Sequence, residues 1–502
     1  MVEPVDHCRP TVLMVAAEFA PLAKTGGLAD MVRAIAVSLE QRGFVVKVLI
    51  PGYAGVLSAA TSGTEEHGAF VALDHQVQLR SFRLDGIEII VVRCDQLYDR
   101  AGGPYRDEQG VEWADLALRF GVLCRAAAHI VNGQTTIDPP DTLNLHDWHA
   151  ALTPAYLSPL TKTRTILTIH NFMFQGRVSH EEMGTLGFSP QSEIGAIGRH
   201  FDGFSFLQVG LRLSDTLVTV SKGYADEIKI ATRHNWWYVS DSRDRARLGF
   251  IPNWPELQSW DPAHDHCIAT NYGLETLDRR ISNRRALEAH LGWSESKRPV
   301  FCTVSRITGP KGFRFLARRI PKLLERDTRL VIVGDGDRRL LNLFGNYASE
   351  YPQRIALLSP YSEAAARMAL AGADALVMPS LTEPCGLSQQ YAQVYGCVPL
   401  VSKVGGLPDT VIDGETGFLF SPSDENSFLA AIDRAIGEMK GESWVEIQQK
   451  CMMAHVNSRD DDQYAELFLS ASRVNTSRSL EHGTVRRAAP RAPLSNRAIL
   501  PR

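Results

Sequence analysis

A lysine and a pair of glycines lie between an apolar run and a helical pattern near the start of the chain. The run is TVLMVAAEFAPL, and the AKTGGLAD stretch that ends this region contains Lys24, Gly26 and Gly27. The first turn of a helix presents unpaired N–H groups and a positive dipole end, which favour phosphate. Glycines let a ligand approach the backbone, and lysine adds a point charge. The pattern predicts a phosphate site, with a plain turn and a solvated lysine as an equally weighted alternative.

A second basic pair occupies the equivalent place in the other half of the chain. Arg306 and Lys311, in SRITGPKGF, follow the apolar run PVFCTVS and precede a helical pattern. Lone basic residues are usually solvated, but cations at a helix start oppose its dipole, and a bound polyanion would explain that placement. Arginine suits a bidentate phosphate contact and lysine a point contact.

A carboxylate stands beside another predicted helix start, in LVMPSLTEPCGLSQQYAQVYG. Glu383 lies in the loop, and Gly386, Leu387 and Ser388 begin the helix. A glutamate at this place either caps the helix or holds sugar hydroxyls while the free N–H groups hold a phosphate on the same sugar. These residues alone leave both interpretations open.

Short β-branched runs alternate with amphipathic stretches, and the series occurs twice. The runs are TVLMVAA, VVKVLIP, IEIIVVR, TRTILTIH and DTLVTVS, then PVFCTVS, RLVIVG, RIALLS, ADALVMPS and VPLVS. Such runs are typical of parallel strands buried on both faces. The sequence therefore predicts an α/β fold with two doubly wound sheets. The boundary is placed in a less regular region, so that residues 1–255 form the first domain and 256–450 the second.

Composition and charge narrow the class of protein. The chain has 502 residues, 44% of them apolar and 22% charged, which is typical of a globular protein of two or more domains. Residues 475–502 carry a net charge of +5 without periodicity, which predicts a disordered tail and leaves −9 for the rest. No broadly basic nucleic-acid surface, membrane helix or secretory leader is expected. Eight scattered cysteines without C-x-x-C favour the reducing cytoplasm.

Taken in order, these stretches resemble the bacterial and plant glycogen/starch synthase family. The likeness covers most of Thr11 to Phe468 and includes EFAPLAKTGGLAD, LYDRAGGPYRDEQGVEW, LNLHDWHAALTPAYL, TILTIHNFMFQG, VSRITGPKGF and PSLTEPCGLSQQYAQVYG. It implies a GT-B fold, in which two Rossmann-like domains face a cleft and a last helix, within 451–474, crosses back to the first domain. It implies retaining transfer of glucose from ADP-glucose to the 4-hydroxyl at the non-reducing end of an α-1,4-glucan such as glycogen, with no metal or cofactor.

The resemblance also implies roles for single residues. The loop of Lys24 would close over the phosphates of the sugar nucleotide from the first domain, while Arg306 and Lys311 would hold the diphosphate from the second. As the anomeric bond breaks, about one unit of negative charge collects on the departing diphosphate. Groups that favour this separated charge more than the ground state raise the rate.

Four more residues are placed around the glucosyl unit by the same resemblance. His170 and Asn171, in IHNFMFQG, would lie near its ring, although a core histidine at a strand end is an alternative for the His170 side chain. Asp147, in HDWHA, would line the cleft and assist catalysis. Glu383 would hold glucose hydroxyls rather than attack covalently.

Two patterns suggest metal binding but are interpreted otherwise. His146 and His149 have H-x-x-H spacing, yet two histidines without a third ligand make a poor zinc site. Asp335 and Asp337 in VGDGD follow a strand, and we interpret them as part of a turn.

The chain departs from the family pattern mainly between the two halves. RHNWWYVSDSR replaces a G-x-G-L stretch, and Asn253-Trp254-Pro255-Glu256 replaces an N-G-[IV]-D turn, with Trp254 in place of the glycine, so that turn must be rebuilt. Asn457 stands near the usual tryptophan of the last helix, and Tyr391 stands where some retaining transferases have a second glutamate.

These departures keep other functions open. One alternative is a paralogue with little activity that binds glucan or nucleotide and regulates a partner. Another is a GT-B transferase with a different donor, such as UDP-glucose, or a different acceptor. A Rossmann dehydrogenase is disfavoured because neither half has G-x-G-x-x-G with an acidic residue at the expected interval. The sequence makes no prediction of oligomeric state.

Overall fold

Two large β-sheets, one in each half of the chain, organise the structure. The computed structural model describes residues 9–60, 63–200, 203–231, 247–455 and 462–470. The first half contains β1 (Thr11–Val15), β2 (Val45–Pro51), β3 (Glu65–Ala72), β4 (His75–Leu84), β5 (Ile87–Arg93), β6 (Thr142–His146), β7 (Arg164–Ile169), β8 (Arg177–Val178), β9 (Arg199–His200), β10 (Gly203–Ser205), β11 (Thr216–Thr219) and β12 (Leu248–Phe250). The second half contains β13 (Val300–Val304), β14 (Arg329–Val333), β15 (Ile355–Leu358), β16 (Ala375–Met378), β17 (Val398–Ser402) and β18 (Phe418–Phe420).

The first sheet has nine strands in the order β12-β11-β7-β6-β1-β2-β5-β4-β3. Each apolar run predicted as a strand in this half is one, and these strands pair in parallel. The sequence interpretation missed β3 and β4, which continue the sheet beyond the predicted strand β5 in antiparallel pairing. Their signal is present, since the middle of β4 alternates buried and partly exposed residues and Asp85-Gly86, both at positive φ, form the turn to β5. Strands β8, β10 and β9 form a small separate sheet.

The second sheet has six strands in the order β15-β14-β13-β16-β17-β18, and all of its neighbouring pairs are parallel. All five predicted runs of this half are strands. Separate apolar clusters cover its two faces, one around Phe344 and Phe428 and the other around Trp260 and Tyr395. Burial on both faces explains why these runs carry almost no polar residues.

Helices connect the strands of both sheets. Those of the first half are Gly27–Gln41, Ala54–Ala59, Asp95–Tyr98, Leu116–Val131, Asp147–Ala150, His180–Thr185, Glu193–Ile197, Phe206–Leu213 and Lys222–Ala231, with a 3-10 turn at Thr153–Tyr156. Those of the second half are Arg280–His290, Phe313–Ala317, Ile320–Glu325, Arg338–Glu350, Glu363–Gly372, Ser388–Val394, Leu407–Thr410, Glu425–Glu438 and Ser443–Met453, with a 3-10 turn at Leu274–Arg279. As predicted, Met31, Ile35 and Leu39 form the buried face of the first helix.

Each large sheet has a point where the strand order reverses, between β1 and β6 in the first and between β13 and β16 in the second. In open α/β sheets the crevice beyond the carboxyl ends of such strands is where ligands bind. The glycine loop follows β1, Asp147 follows β6, Arg306 and Lys311 follow β13, and Glu383 follows β16. Topology therefore gathers these residues at the two crevices.

The end of the described chain returns to the first half. Helix Ser443–Met453 packs with the second sheet through Trp444 and Cys451. Residues 462–470 are helical and pack on the first core, where Phe468 lies 6.4 Å from Phe44 between ring centroids. Residues 475–502, for which a disordered tail is predicted, lie outside the described residues. Among the described helices, none combines the length and apolar character needed to cross a membrane.

Candidate active site

The glycine loop of the first lobe leaves space above its backbone. Gly26 is extended (φ −169°) and precedes a helix that begins at Gly27 without a side-chain cap. Any residue can adopt this conformation, and a Cβ on Gly26 would meet no atom within 4 Å. The fold therefore does not require glycine at position 26. A ligand that approaches the N–H groups of the loop would require it, because a Cβ would occupy that space. A Cβ on Gly27 would lie 3.6 Å from Leu387 of the second lobe, so the loop faces that lobe directly.

A buried carboxylate that the sequence interpretation missed holds this loop. Glu18 is 3% exposed and accepts hydrogen bonds from Thr25 N at 2.6 Å and Thr25 Oγ1 at 2.7 Å. The hydroxyl of Tyr105 donates to the same carboxylate at 2.6 Å. Hydrogen bonds to a charged acceptor are among the stronger ones, so Glu18 fixes the loop position. Its sequence signal is an acidic residue directly after a buried strand.

Lys24 is paired within its own loop. Its ammonium lies 2.8 Å from Asp30 in the first turn of the following helix, and both side chains are partly exposed. Burial raises the pKa of Asp30, while the neighbouring Lys24 lowers it. To make the predicted phosphate contact, Lys24 would have to leave Asp30 and bind the ligand instead.

Lys311 and Glu383, predicted for separate tasks, form one ion pair. Lys311 Nζ lies 2.7 Å from both carboxylate oxygens of Glu383, whose side chain is 6% exposed. Ser380 Oγ also donates to this carboxylate at 3.1 Å. The loops meet because Gly312 is at φ +76°, where a Cβ would lie 1.8 Å from the carbonyl oxygen of Pro379. Only glycine fits that approach, and it brings the two charges together.

Arg306 is an exposed cation of the second lobe. Its guanidinium has no hydrogen-bond or ion-pair partner within the described ranges. The backbone beyond it is fixed, since Ile307 N donates to Asp335 O at 2.7 Å and Asp337 N donates to Ile307 O at 2.8 Å. A fixed backbone with a free guanidinium suits a ligand-binding side chain.

The Glu383 loop is anchored by a second glycine pair. Gly406 N donates to the carbonyl of Glu383 at 3.0 Å. Gly405 is at φ +50°, and a Cβ there would lie 1.8 Å from the same carbonyl oxygen. Gly386 is also at positive φ (+79°), ahead of Leu387 and the helix. This packing holds Glu383 in place while its carboxylate faces Lys311.

Asp147 and His170 meet at the carboxyl edge of the first sheet. Asp147 Oδ1 accepts hydrogen bonds from the backbone N–H of His170 at 2.6 Å and of Asn171 at 3.1 Å. Burial raises the pKa of Asp147 to about 7, although both backbone bonds lower it. The carboxylate therefore shapes the loop that carries His170. The His170 imidazole bonds to His146, and Asn171 Oδ1 accepts from Met173 N at 2.9 Å.

The D-x-D pattern of Asp335 and Asp337 has a structural use. Asp337 caps helix Arg338–Glu350 by accepting from Arg339 N at 2.8 Å, and Asp335 accepts from Ser359 Oγ at 3.3 Å. In the part of the chain that the structure describes, no three His, Cys, Asp or Glu side chains are grouped as metal ligands would be.

The two lobes touch through polar contacts beside the crevice. Gly223 N, at the start of helix Lys222–Ala231, donates to Asp409 Oδ2 at 2.7 Å. In return, Gly405 N donates to Glu227 Oε1 at 2.6 Å. Ser221 Oγ adds a bond to the carbonyl of Pro384, next to Glu383. Residues on both sides of the crevice are thereby held against one another.

Comparison with known proteins identifies the family. Residues 11–234 match the family model of the starch synthase catalytic domain, and residues 298–438 match that of glycosyl transferases group 1. A glycogen synthase of Granulibacter bethesdensis is 37% identical over 455 residues, which cover 88% of this chain and 95% of that protein. A glycogen synthase of Rhodopseudomonas palustris is 37% identical over 472 residues, which cover 91% and 96%. The chain belongs to the glycogen synthase family.

A solved relative supports the fold. The catalytic domain of starch synthase IV from Arabidopsis thaliana superimposes with a TM-score of 0.81 at 24% identity, over 93% of this chain and 100% of that one. The predicted GT-B fold is confirmed. As a glycogen synthase family member, the chain is a hexosyltransferase.

The structure shows how the chain accommodates its altered hinge. Trp254 does not adopt positive φ and packs on Tyr464 of the returning helix, 5.9 Å between ring centroids. The carbonyl of Asn253 accepts from Gln390 Nε2 at 3.2 Å, and Tyr391 stacks on Trp260 at 4.2 Å. The turn is thus rebuilt around one aromatic pair on each lobe, and the bond between Asn253 and Gln390 joins the two sides. RHNWWYVSDSR and Asn457 lie outside the described residues.

Proposed function

We propose that the chain transfers the glucosyl unit of ADP-glucose to the 4-hydroxyl at the non-reducing end of an α-1,4-glucan, with retention of configuration. The observation that carries the proposal is the Lys311–Glu383 pair, which stands at the switch point of the second sheet. It places a cation for a phosphate beside a carboxylate for sugar hydroxyls. The solved starch synthase IV domain was bound to ADP and acarbose, which supports ADP as the leaving group.

Leaving-group stabilisation is the main task that the proposal gives to Lys311 and Arg306. A unit charge about 4 Å from a cation is stabilised by about 4 kcal/mol at an effective dielectric near 20. This stabilisation grows as negative charge collects on the diphosphate, so it lowers the barrier more than the ground state. Lys311 would bond to the phosphate with Glu383 still beside it, and the exposed Arg306 would bind from the other side.

Glu383 would hold hydroxyls of the glucosyl ring. Its Oε2 already accepts from both Lys311 and Ser380, whereas Oε1 accepts from Lys311 alone and keeps a lone pair for a sugar hydroxyl. A buried carboxylate tied to a lysine is a better acceptor of hydroxyls than a nucleophile. The N–H groups of Gly386 and Leu387, ahead of helix Ser388–Val394, would add donors for the phosphate.

The first lobe would close the donor site and hold the acceptor. The loop with Lys24, Gly26 and Gly27 would cover the phosphates, and His170 and Asn171 would contact the glucosyl unit. Exposed Met173 and Phe174, directly after them, offer apolar surface for sugar rings of the acceptor.

The proposal divides the chain by task. Residues 1–255 would bind the glucan, residues 256–450 would bind the sugar nucleotide, and 451–474 would join the two. No metal is required, because cations of the protein neutralise the diphosphate. The seven cysteines within the described segments are free thiols, which supports work in the reducing cytoplasm.

The test is incorporation of radiolabelled glucose into glycogen from ADP-glucose and, separately, from UDP-glucose. We expect incorporation from ADP-glucose that depends on glycogen, with the label released by an exo-amylase specific for α-1,4 bonds. Binding of ADP without incorporation from either donor would refute the proposal and favour a regulatory paralogue. Faster incorporation from UDP-glucose would refute the donor assignment alone.

A further inference from the structure

Two buried histidines bond to each other at the crevice of the first sheet. His146 ends β6 and His170 follows β7, the neighbouring parallel strand. His146 Nδ1 lies 2.9 Å from His170 Nε2, and the rings stack with centroids 5.2 Å apart. His146 is fully buried and His170 is 8% exposed. The reaction proposed above assigns His146 no task, yet it is the hydrogen-bond partner of the imidazole expected beside the sugar.

A bond between two neutral imidazoles uses one proton, so it fixes both tautomers together. Burial lowers the pKa of both rings, that of His170 to about 3, and both are therefore neutral near pH 7. Either His146 donates from Nδ1 and His170 carries its own proton on Nδ1, or His170 donates from Nε2 and its Nδ1 is a bare acceptor.

The remaining nitrogen of His146 decides between the two arrangements. His146 Nε2 is buried and has no partner among the described residues. If His170 donated, this nitrogen would carry a buried N–H without an acceptor. If His146 donates from Nδ1, its Nε2 carries no proton and is only an unpaired acceptor. Buried acceptors without a partner are less rare than buried N–H groups without one. The first arrangement is therefore favoured.

We propose that His146 is a positioning residue: its Nδ1–H donates to His170 Nε2 and fixes His170 as the tautomer that carries its proton on Nδ1. His170 Nδ1 has no partner in the described part of the chain and is not among its buried unpaired atoms. It is therefore the nitrogen left for a ligand. The Nδ1–H of His170 can then donate to an oxygen of the glucosyl unit. That the ligand is a glucosyl unit rests on the proposed function.

The tautomer can be measured without substrate. In ¹⁵N-histidine-labelled protein, the His170 signals are assigned by their loss in His170→Gln. We expect a pyrrole-type Nδ1 and a pyridine-type Nε2 at neutral pH. The reverse pattern would overturn the proposal. Because this measurement uses ligand-free protein, its outcome is independent of whether ADP-glucose is the donor.

Three variants separate tautomer control from packing. His146→Phe keeps a ring but removes the donor, and His146→Asn places an amide N–H near the position of Nδ1. We expect His146→Phe to lower kcat by at least about 10-fold and to mix the His170 tautomers, while His146→Asn stays within about 3-fold of wild type. The matched control is His149→Gln, since His149 is buried nearby without a bond to His170, and it should leave the His170 tautomer unchanged.

Equal loss of kcat in His146→Phe and His146→Asn, with melting temperatures like that of wild type, would reduce His146 to a packing role and overturn the proposal. A single His170 tautomer in His146→Phe, as in wild type, would also overturn the proposal. If the wild-type chain incorporated no glucose from any donor, the NMR results for the same variants would still decide the proposal, while the function proposed above would fail by itself.

Discussion

Replacing Lys311 by methionine removes one charge from the crevice and keeps a side chain of similar length. Lys311 Nζ lies 2.7 Å from both oxygens of Glu383, and the lysine side chain is 22% exposed. The variant therefore changes two quantities, the rate of glucosyl transfer and the free energy of unfolding. Each has its own physical cause and its own size.

The rate effect follows from the charge on the leaving diphosphate. A loss of about 4 kcal/mol of transition-state stabilisation corresponds to roughly 10³-fold in kcat/KM. Arg306 remains in the variant and compensates in part, so we expect a decrease between about 10²- and 10³-fold. The stability effect follows from Glu383, which then keeps, among the described residues, only Ser380 as a side-chain donor. An unpaired buried acceptor costs about 1–3 kcal/mol.

The assay combines initial rates of label incorporation with urea unfolding. A double variant, Lys311→Met with Glu383→Gln, separates the two effects, because it removes the unpaired charge without restoring the cation. We expect it to recover most of the lost stability and none of the activity. The control is Lys322→Met, whose exposed ion pair with Glu325 lies in the same lobe, and it should change neither quantity.

One result would refute this reasoning. If Lys311→Met kept kcat/KM within about 3-fold of wild type while Lys322→Met behaved as expected, Lys311 would not stabilise the departing diphosphate. A loss of activity that the double variant recovers together with stability would likewise assign Lys311 a structural task only.

Three further predictions test the parts around this pair. Burial raises the pKa of Asp147 from 3.8 to about 7, so its carboxyl takes up a proton on folding between these values; the contribution of Asp147 to the free energy of unfolding, measured by urea unfolding as wild type minus Asp147→Asn, should therefore fall by at most about 3 kcal/mol from about pH 5 to about pH 8. Gly223→Ala adds a Cβ 2.1 Å from the carbonyl oxygen of Gly405 across the lobe contact and should raise KM for ADP-glucose roughly 10-fold in initial-rate assays. Glu18→Gln weakens the hold on Thr25 and should raise the same KM by about 10-fold or more.

Matched variants control these measurements. Gly437→Ala adds a Cβ in open space and should leave KM unchanged. Glu66→Gln removes an exposed carboxylate paired with Arg80 and, as the control for Glu18→Gln, should also leave KM unchanged. A pH slope in Asp147→Asn as steep as in wild type would disprove the protonation argument. Unchanged KM in Gly223→Ala would show that lobe contact does not limit donor binding, and unchanged KM in Glu18→Gln would mean that the loop holds its place without the carboxylate.

Local patterns in the sequence were sufficient for most of the fold. All ten apolar runs are strands because a strand buried on both faces needs an unbroken apolar run, and that requirement is visible within a few residues. The antiparallel edge was missed although its turn residues, Asp85 and Gly86, are a strong hairpin signal. That miss came from the interpretation and not from a lack of information.

The sequence by itself determined which residue types stand after which strands, and hence that Lys24, Arg306, Lys311 and Glu383 lie at carboxyl edges. Only the tertiary structure decided their partners. Lys311 meets Glu383 across 72 residues of chain because Gly312 accepts a close backbone approach, and His146 meets His170 because β6 and β7 are neighbours. Such pairings depend on strand order and loop contact, which no local pattern encodes, because the energy that selects them is gained only when distant segments pack together.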